Sequence, residues 1–340
     1  MSRLSWLQND LLHRALRFTV TVILPVAIGL YRGIEPWLVF ATLGAIVSFV
    51  GDEGGKPVER LCLMAIGPMA MLIGAGIGTS IAGNFELLLP IAILAGILYG
   101  LVETTHPHLL LATRFFGYGL VLSGAVAPVT GQDAGAILAA LLDAWIISIL
   151  WDLVRSGRLR PRLAAPLGPV IRAILHGQAG KWSFALATGV VVGFAFVVCI
   201  WLGIGHPYWT TLTILVVLRS EMEGSVALIN HRISGTLLGV FVAGLIITFL
   251  PERTAILICL VIAAGLRWPA YQIGTAFGVG CLTAFALLLG ELLAPTPEAA
   301  IHNLQERLLA TFIGCCFALL ALTIDQQLKR LGTRGGIGGS

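Results

Sequence analysis

The sequence predicts an all-α polytopic membrane protein, with twelve transmembrane helices built as two parallel six-helix repeats. Three observations carry that prediction. Hydrophobic residues make up 57% of the 340 residues and charged residues 11%, with a mean hydropathy of +0.94; a soluble domain carries about twice that charge. Apolar stretches of helix-spanning length recur from about residue 15 to residue 323 and leave little polar sequence for a soluble domain. Finally, Trp37 and Arg60 return at one common offset as Trp209 and Arg232, and Gly33/Gly205, Leu43/Leu215, Ser48/Ser220 and Gly67/Gly239 keep that offset without a gap. Gly and Leu are common in this chain and prove little, whereas Trp and Arg are rare. A duplication in a membrane protein points to a transporter or channel whose pathway lies between the halves.

In chain order, the apolar runs place helices at 15–32, 37–50, 60–82, 85–102, 108–127 and 134–153 in the first half. The second half gives 183–204, 208–219, 231–250, 254–267, 271–291 and 303–324. The expected organisation is a first repeat over 1–154, a Pro-broken basic linker over 155–182, a second repeat over 183–325 and a disordered Gly-rich tail over 326–340. Arg3, Arg14 and Arg17 precede the first apolar run and no small-residue cleavage site follows it, so this run reads as a retained span. With both termini and the linker placed in the cytoplasm, every Lys and Arg lies on that side except Arg32, Arg253 and Arg307, on the far side, and Arg114, inside a helix. The reverse orientation would invert this bias. Six helices per half make the two halves run in the same direction.

A finer pattern divides each repeat into inverted three-helix units. Pro36, Pro107, Pro207 and Pro269 each open a predicted helix, the middle member of its unit, and these helices start on alternating sides. The spacing Arg232, Thr236, Gly239 recurs as Arg307, Thr311, Gly314 on a helix that also starts on the opposite side. The plainer reading is that proline simply suits a helix's first turn, where its missing N–H costs nothing.

Several residues could carry chemistry. Arg232, Thr236 and Gly239 share one helical face, and Gly235 with Gly239 lets a neighbouring backbone approach closely. Arg60 and Arg232 are either inner-end residues that snorkel to the headgroups or a pseudo-symmetric basic pair collecting anions, since a guanidinium suits a carboxylate. Arg114 and Asp143 fall inside predicted spans, where an ionisable group is costly. They are either a structural ion pair or a substrate-carboxylate site with a proton carrier. His206 and His231 flank the helix at 208–219 and suit proton coupling or structural hydrogen bonding. Trp37 and Trp209 sit at a membrane boundary, where interfacial Trp is routine and stacking on an aromatic substrate is the alternative.

The run YWTTLTILVVLRSEMEGSVALINHRISGTLLGV resembles the fusaric acid resistance (FUSC) family, related to bacterial aromatic acid exporters. The resemblance rests on an aromatic-Trp-Thr segment (Tyr208, Trp209, Thr210, Thr213), an acidic bend (Glu221, Glu223) and R-x-x-G-T-x-x-G opening the next helix (Arg232, Gly235, Thr236, Gly239). Arg307, Thr311 and Gly314 resemble the motif of the last helix. The first half departs from it, with Leu63 and Met64 at the Gly-Thr positions after Arg60. The resemblance implies a multi-pass protein of the bacterial inner membrane, and the Lys/Arg bias puts both termini in the cytoplasm. It also implies efflux of aromatic or other weak organic acids, often with a periplasmic membrane-fusion adaptor. Plant aluminium-activated malate transporters look similar in six-helix form, so an organic-anion channel is an alternative, as is a non-transporting membrane subunit of an envelope assembly. The expected substrate-binding set is Arg60, Arg232, Arg114, Arg307, Trp37, Trp209, Thr210 and Thr213, with Asp143, His206 and His231 in proton coupling.

The sequence contains no GxxxxGK[ST], HExxH or GxSxG, which argues against ATP hydrolysis, a zinc-protease site and a nucleophile elbow. Cys62, Cys199, Cys259, Cys281, Cys315 and Cys316 all lie in apolar segments without CxxC spacing and read as buried, inert thiols. The expectation is a non-enzyme with no catalytic residue, metal or other cofactor, and no nucleic-acid partner.

Overall fold

In a computed structural model the described residues are 3–34, 37–103, 107–156, 179–293 and 297–335. Among them are twelve α-helices and one π-helical turn, with no strand. In order these are α1 (Arg3–Arg32), the π turn (Trp37–Ala41), α2 (Thr42–Val50), α3 (Pro57–Ser80), α4 (Phe85–Val102), α5 (Pro107–Ala125) and α6 (Gly131–Ser156). The second half adds α7 (Ala179–Trp201), α8 (Pro207–Val217), α9 (Met222–Phe249), α10 (Arg253–Ile273), α11 (Thr275–Glu291) and α12 (Pro297–Gly335). Eight helices are long and apolar enough to cross a membrane: α1, α3, α4, α6, α7, α9, α10 and α12. The chain is a multi-pass membrane protein.

The other four qualify the expectation of twelve full spans. The π turn and α2 run together for five and nine residues, α8 for 11 and α11 for 17. At 1.5 Å per residue, a helix the length of α8 reaches about 16 Å, half of a hydrocarbon core of about 30 Å. Helix α5 has 19 residues, but Pro107, His108 and Arg114 dilute its apolar content.

Helix ends also differ from expectation in places. Pro107 and Pro207 do open α5 and α8; Pro36 lies outside the described residues. Pro269 does not open the next helix but sits inside the last turns of α10, where it leaves the Gly265 carbonyl without its helical N–H donor. The stop is made by Gly274, whose backbone is extended (φ 170, ψ 149). Helix α9 begins at Met222, ahead of the apolar run, with Glu223 in its first turn where the helix dipole favours an acid. Helix α12 continues to Gly335 through residues expected to be disordered, aided by good helix formers and a Lys329–Asp325 ion pair one turn apart (2.7 Å). The linker residues 157–178 lie outside the described residues.

The chain forms two compact units, each drawing on both sequence halves. Unit 1 comprises Met1–Pro68, Thr130–Arg162 and Asn230–Leu308; unit 2 comprises Met69–Val129, Leu163–Ile229 and Leu309–Ser340. The core of unit 1 joins α1, α2, α6, α10 and α11 through Phe18, Val22, Ala45, Phe49, Ala140, Leu260 and Phe285. That of unit 2 joins α4, α5 and α7 through Leu88, Ala92, Leu120, Val121 and Phe196. Gly100 permits the α4–α7 crossing: a Cβ there would stand 2.5 Å from Ala185 Cα.

Candidate functional site

Helix α2 stops because Gly51, Gly54 and Gly55 follow it, the last two at φ 85° and 111°, a conformation that glycine adopts without strain. The bend presents Asp52 to three helices of unit 1. Arg60 of α3 donates to Asp52 Oδ1 through Nε and Nη2 (both 2.7 Å) and to Asp152 Oδ2 of α6 through Nη1 (2.8 Å). Arg17 of α1 pairs with Asp52 (3.1 Å) and Asp152 (3.5 Å), and Ser148 donates to Asp52 Oδ2 (2.7 Å). The Arg60 side chain is 1% exposed and that of Asp52 0%. Two cations face two anions, which is how a buried ion cluster becomes tolerable. Every nitrogen of the Arg60 guanidinium is thus engaged by an aspartate.

In unit 2, α8 ends at Val217 and its last carbonyls have no helical partner. Side chains from two other helices take them. Arg114 Nε of α5 donates to Leu215 O (3.0 Å), and the Tyr99 hydroxyl of α4 donates to Leu218 O (2.8 Å). Tyr99 in turn accepts from Arg219 Nη1 (3.3 Å), while Ser225 Oγ accepts from Arg219 N (2.7 Å) and donates to Arg219 O (3.0 Å). Arg114 is half-buried, and its Nη2 is buried without a hydrogen-bond partner among the described residues.

The other expected residues of α8 point to packing as well as chemistry. Thr210 Oγ1 donates to Ala310 O of α12 (3.3 Å) and receives the Cys199 thiol (3.3 Å); Thr213 Oγ1 bonds back to Trp209 O (2.8 Å). A Cβ on Gly314 would fall 2.8 Å from Thr213 Cβ, so the second R-x3-T-x2-G motif supplies the smooth face of α12 on which α8 lies. Trp209 is half-buried in an aromatic group with Tyr208 (ring centroids 5.0 Å) and Tyr118 (6.3 Å), and His206 at the helix start meets Tyr208 edge-on (5.6 Å).

In unit 1 the first R-x3-T-x2-G motif does the equivalent for α9. A Cβ on Gly235 or Gly239 would stand 2.6 Å from the carbonyl of Ala276 or Gly280 on α11. Arg232 and Arg307 are buried, 7% and 6% exposed. His231 on α9 and Asp143 on α6 are half-buried, and Trp37 packs beside the Phe18–Phe49 core. Arg114 and Asp143 belong to different units.

Sequence reasoning missed Asp52, Asp152, Tyr99 and Arg219, and also a pair of neighbours on α10, Arg267 and Trp268. Arg267 is 7% exposed and its Cζ lies 4.6 Å from the Phe18 ring centroid and 5.4 Å from that of Trp268. Arg14 covers Trp268 at 4.0 Å. A cation in an apolar run beside WPAY was the available signal, and the orientation count absorbed it as one more inner-side charge. The six cysteines are free thiols, with Cys62 and Cys316 exposed rather than buried. No group of three or more metal-ligating side chains occurs among the described residues.

The acidic bend, the two arginine motifs and the aromatic segment all fall within residues 193–321, which match the family model described as fusaric acid resistance protein-like. This segment is similar to that family. Inner membrane protein YccS of Escherichia coli (strain K12) is 28% identical over 157 residues, covering 45% of this chain and 21% of that protein. The uncharacterized protein slr1298 of Synechocystis sp. is 30% identical over 131 residues, covering 38% of this chain and 17% of that protein. The chain thus spans about a fifth of the length of the curated relatives it matches. No solved structure matches it.

Proposed function

We propose that the chain is the membrane part of an inner-membrane exporter of small organic anions, chiefly aromatic carboxylates, driven by the proton gradient. The short helices α2 and α8 carry this reading. They hold corresponding places in the two sequence halves, are too short to span a bilayer, and end in arginine-held bends. Interrupted helices at corresponding positions of a duplicated transporter mark the substrate site. The fusaric acid resistance-like region supports the same class.

In this reading Arg114, whose Nη2 is left over after the bond to Leu215, and the buried Arg232 and Arg307 attract the carboxylate. Trp37, Trp209, Thr210 and Thr213 line the path, while Asp143, His206 and His231 move the proton. Arg60, whose nitrogens are held by two aspartates, fixes the inner bend. The halves are parallel repeats of inverted three-helix units, both termini face the cytoplasm, and a periplasmic adaptor carries the substrate onward.

Proteoliposomes holding the chain and labelled benzoate test the proposal. An imposed proton gradient should drive benzoate flux above that of empty liposomes, and a protonophore should abolish the excess. Flux equal to that of empty liposomes under every gradient sinks the proposal; flux that follows the benzoate gradient alone replaces the exporter with a channel.

A further inference from the structure

Beyond the two bends, unit 1 contains a cavity of about 360 Å³ between α9, α10 and α11, walled by side chains such as Leu238, Val242, Ile262, Phe277 and Leu288. Val242, Ile262 and Phe277 are exposed, so the cavity is open at the side. Its lining is apolar throughout and includes Cys281 and, on α10, Leu266 and Ala270; Arg267, on the same helix, stands behind this wall rather than in it. Cys281 lies within electrostatic reach of the Arg267 guanidinium.

Arg267 is the unusual member of this region. Its guanidinium sits where a lone cation is expensive. Tyr271 is its hydrogen-bonding neighbour, and Phe18 and Trp268 offer ring faces. Among the described residues no carboxylate pairs with it, and its Nε and Nη1 are buried without a partner, as is Trp268 Nε1. Arg14, over the same indole, adds a second positive charge. The nearby Arg17 and Arg60 differ, since Asp52 and Asp152 balance them.

We propose that this is a binding site for an organic monocarboxylate: the carboxylate is held by Arg267 and the Trp268 N–H, and the apolar body lies in the cavity past Cys281. The size of the cavity is that of a small-ligand pocket, and unpaired donors beside an apolar hollow form the usual pattern of such sites. A lipophilic acid dissolved in the membrane would enter from the side. The inference rests on the organic-anion reading for its biological meaning, but binding and export are measured separately.

The probe is 1-naphthoate, and the readout is alkylation of Cys281 by N-ethylmaleimide on the full chain in lipid nanodiscs, followed by peptide mass spectrometry. Naphthoate should slow Cys281 alkylation, and 1-naphthylmethanol, which lacks the charge, should not at equal concentration. Arg267→Gln should raise the naphthoate concentration giving half protection about tenfold or more. Val242→Trp, which fills the cavity with Arg267 intact, should do the same and covers the case in which Arg267→Gln does not fold. Equal protection by acid and alcohol, no protection, or unchanged protection in a folded Arg267→Gln overturns the site. So does a Cys281 already shielded in nanodiscs and insensitive to naphthoate, which would mean an acyl chain fills the cavity. Protection without gradient-driven flux keeps the site and removes the exporter; flux without protection does the reverse.

Discussion

Where α2 stops, two arginines and two aspartates close the bend; where α8 stops, Arg114 and Tyr99 cap the bare carbonyls of Leu215 and Leu218. The second bend needs outside partners because a broken helix leaves backbone acceptors that the bilayer cannot satisfy, whereas the partners at the first bend meet the side chain of Asp52. The first bend is charge-balanced, and its guanidiniums are spent on carboxylates. The second uses neutral acceptors, so the charges of Arg114 and Arg219 are not cancelled by any acid among the described residues. At the sequence offset that relates Arg60 to Arg232, Gly224 stands opposite Asp52 and Ile324 opposite Asp152. The bend after α8 carries Glu221 and Glu223 in sequence, but neither pairs with Arg114 or Arg219, so the bend keeps its positive charge. In the proposed function this second bend is where the anion binds.

The first bend should break hardest. Removing Asp52 leaves Arg17 and Arg60 buried around Asp152 alone, and breaking a buried ion pair by deleting one partner costs about 3–5 kcal/mol. Asp52→Ala should therefore show a large drop in unfolding free energy in detergent micelles. High salt should not reproduce the loss, because buried pairs are poorly screened. A loss under about 1 kcal/mol would mean that the cluster is ornamental and the comparison misplaced.

Tyr99→Phe tests the second bend without touching a charge. It removes one hydroxyl that donates to Leu218 O and accepts from Arg219, leaving a buried carbonyl short of its donor. The expected cost is about 1–2 kcal/mol. Hydrogen exchange should report the loss locally, with faster exchange of the amides at the end of α8 and the start of α9. Unchanged exchange there would show that the bend is held by its backbone alone.

How far this was legible depends on the range of each interaction. The apolar runs gave twelve helices near their places because burial in a membrane leaves a strong local periodic signal. The short α8 was half visible: Pro207 marks its start, but its early stop depends on Arg114 and Tyr99, far away in the chain. The division into units was invisible, since α3, α9 and α12 each contribute to both and no linker marks the boundaries. Arg60 was singled out for its recurrence, but nothing in the sequence joined it to Asp52 and Asp152, because charge sign alone says nothing about who faces whom. Arg267 was missed for a similar reason. The count that fixed orientation treats every cation alike, whereas its meaning comes from the rings and the hollow around it.

The smallest stability effect should come from Arg114, and there it parts from function. Arg114→Gln removes the Nε bond to Leu215 O, worth about 1 kcal/mol, but also removes a charge that is costly within a helix of a membrane protein. The two terms oppose, so the unfolding free energy should move by about 1 kcal/mol or less, far below Asp52→Ala. Benzoate flux should nonetheless fall about tenfold or more, because the guanidinium charge and the spare Nη2 are gone. Arg114→Lys separates the two roles: it keeps a charge without the forked donors and should retain part of the flux. A folded Arg114→Gln protein that transports benzoate at the full rate would make Arg114 a helix cap and nothing more. The functional half of the comparison would then fall, while the ionic bend at Asp52 would stand untouched.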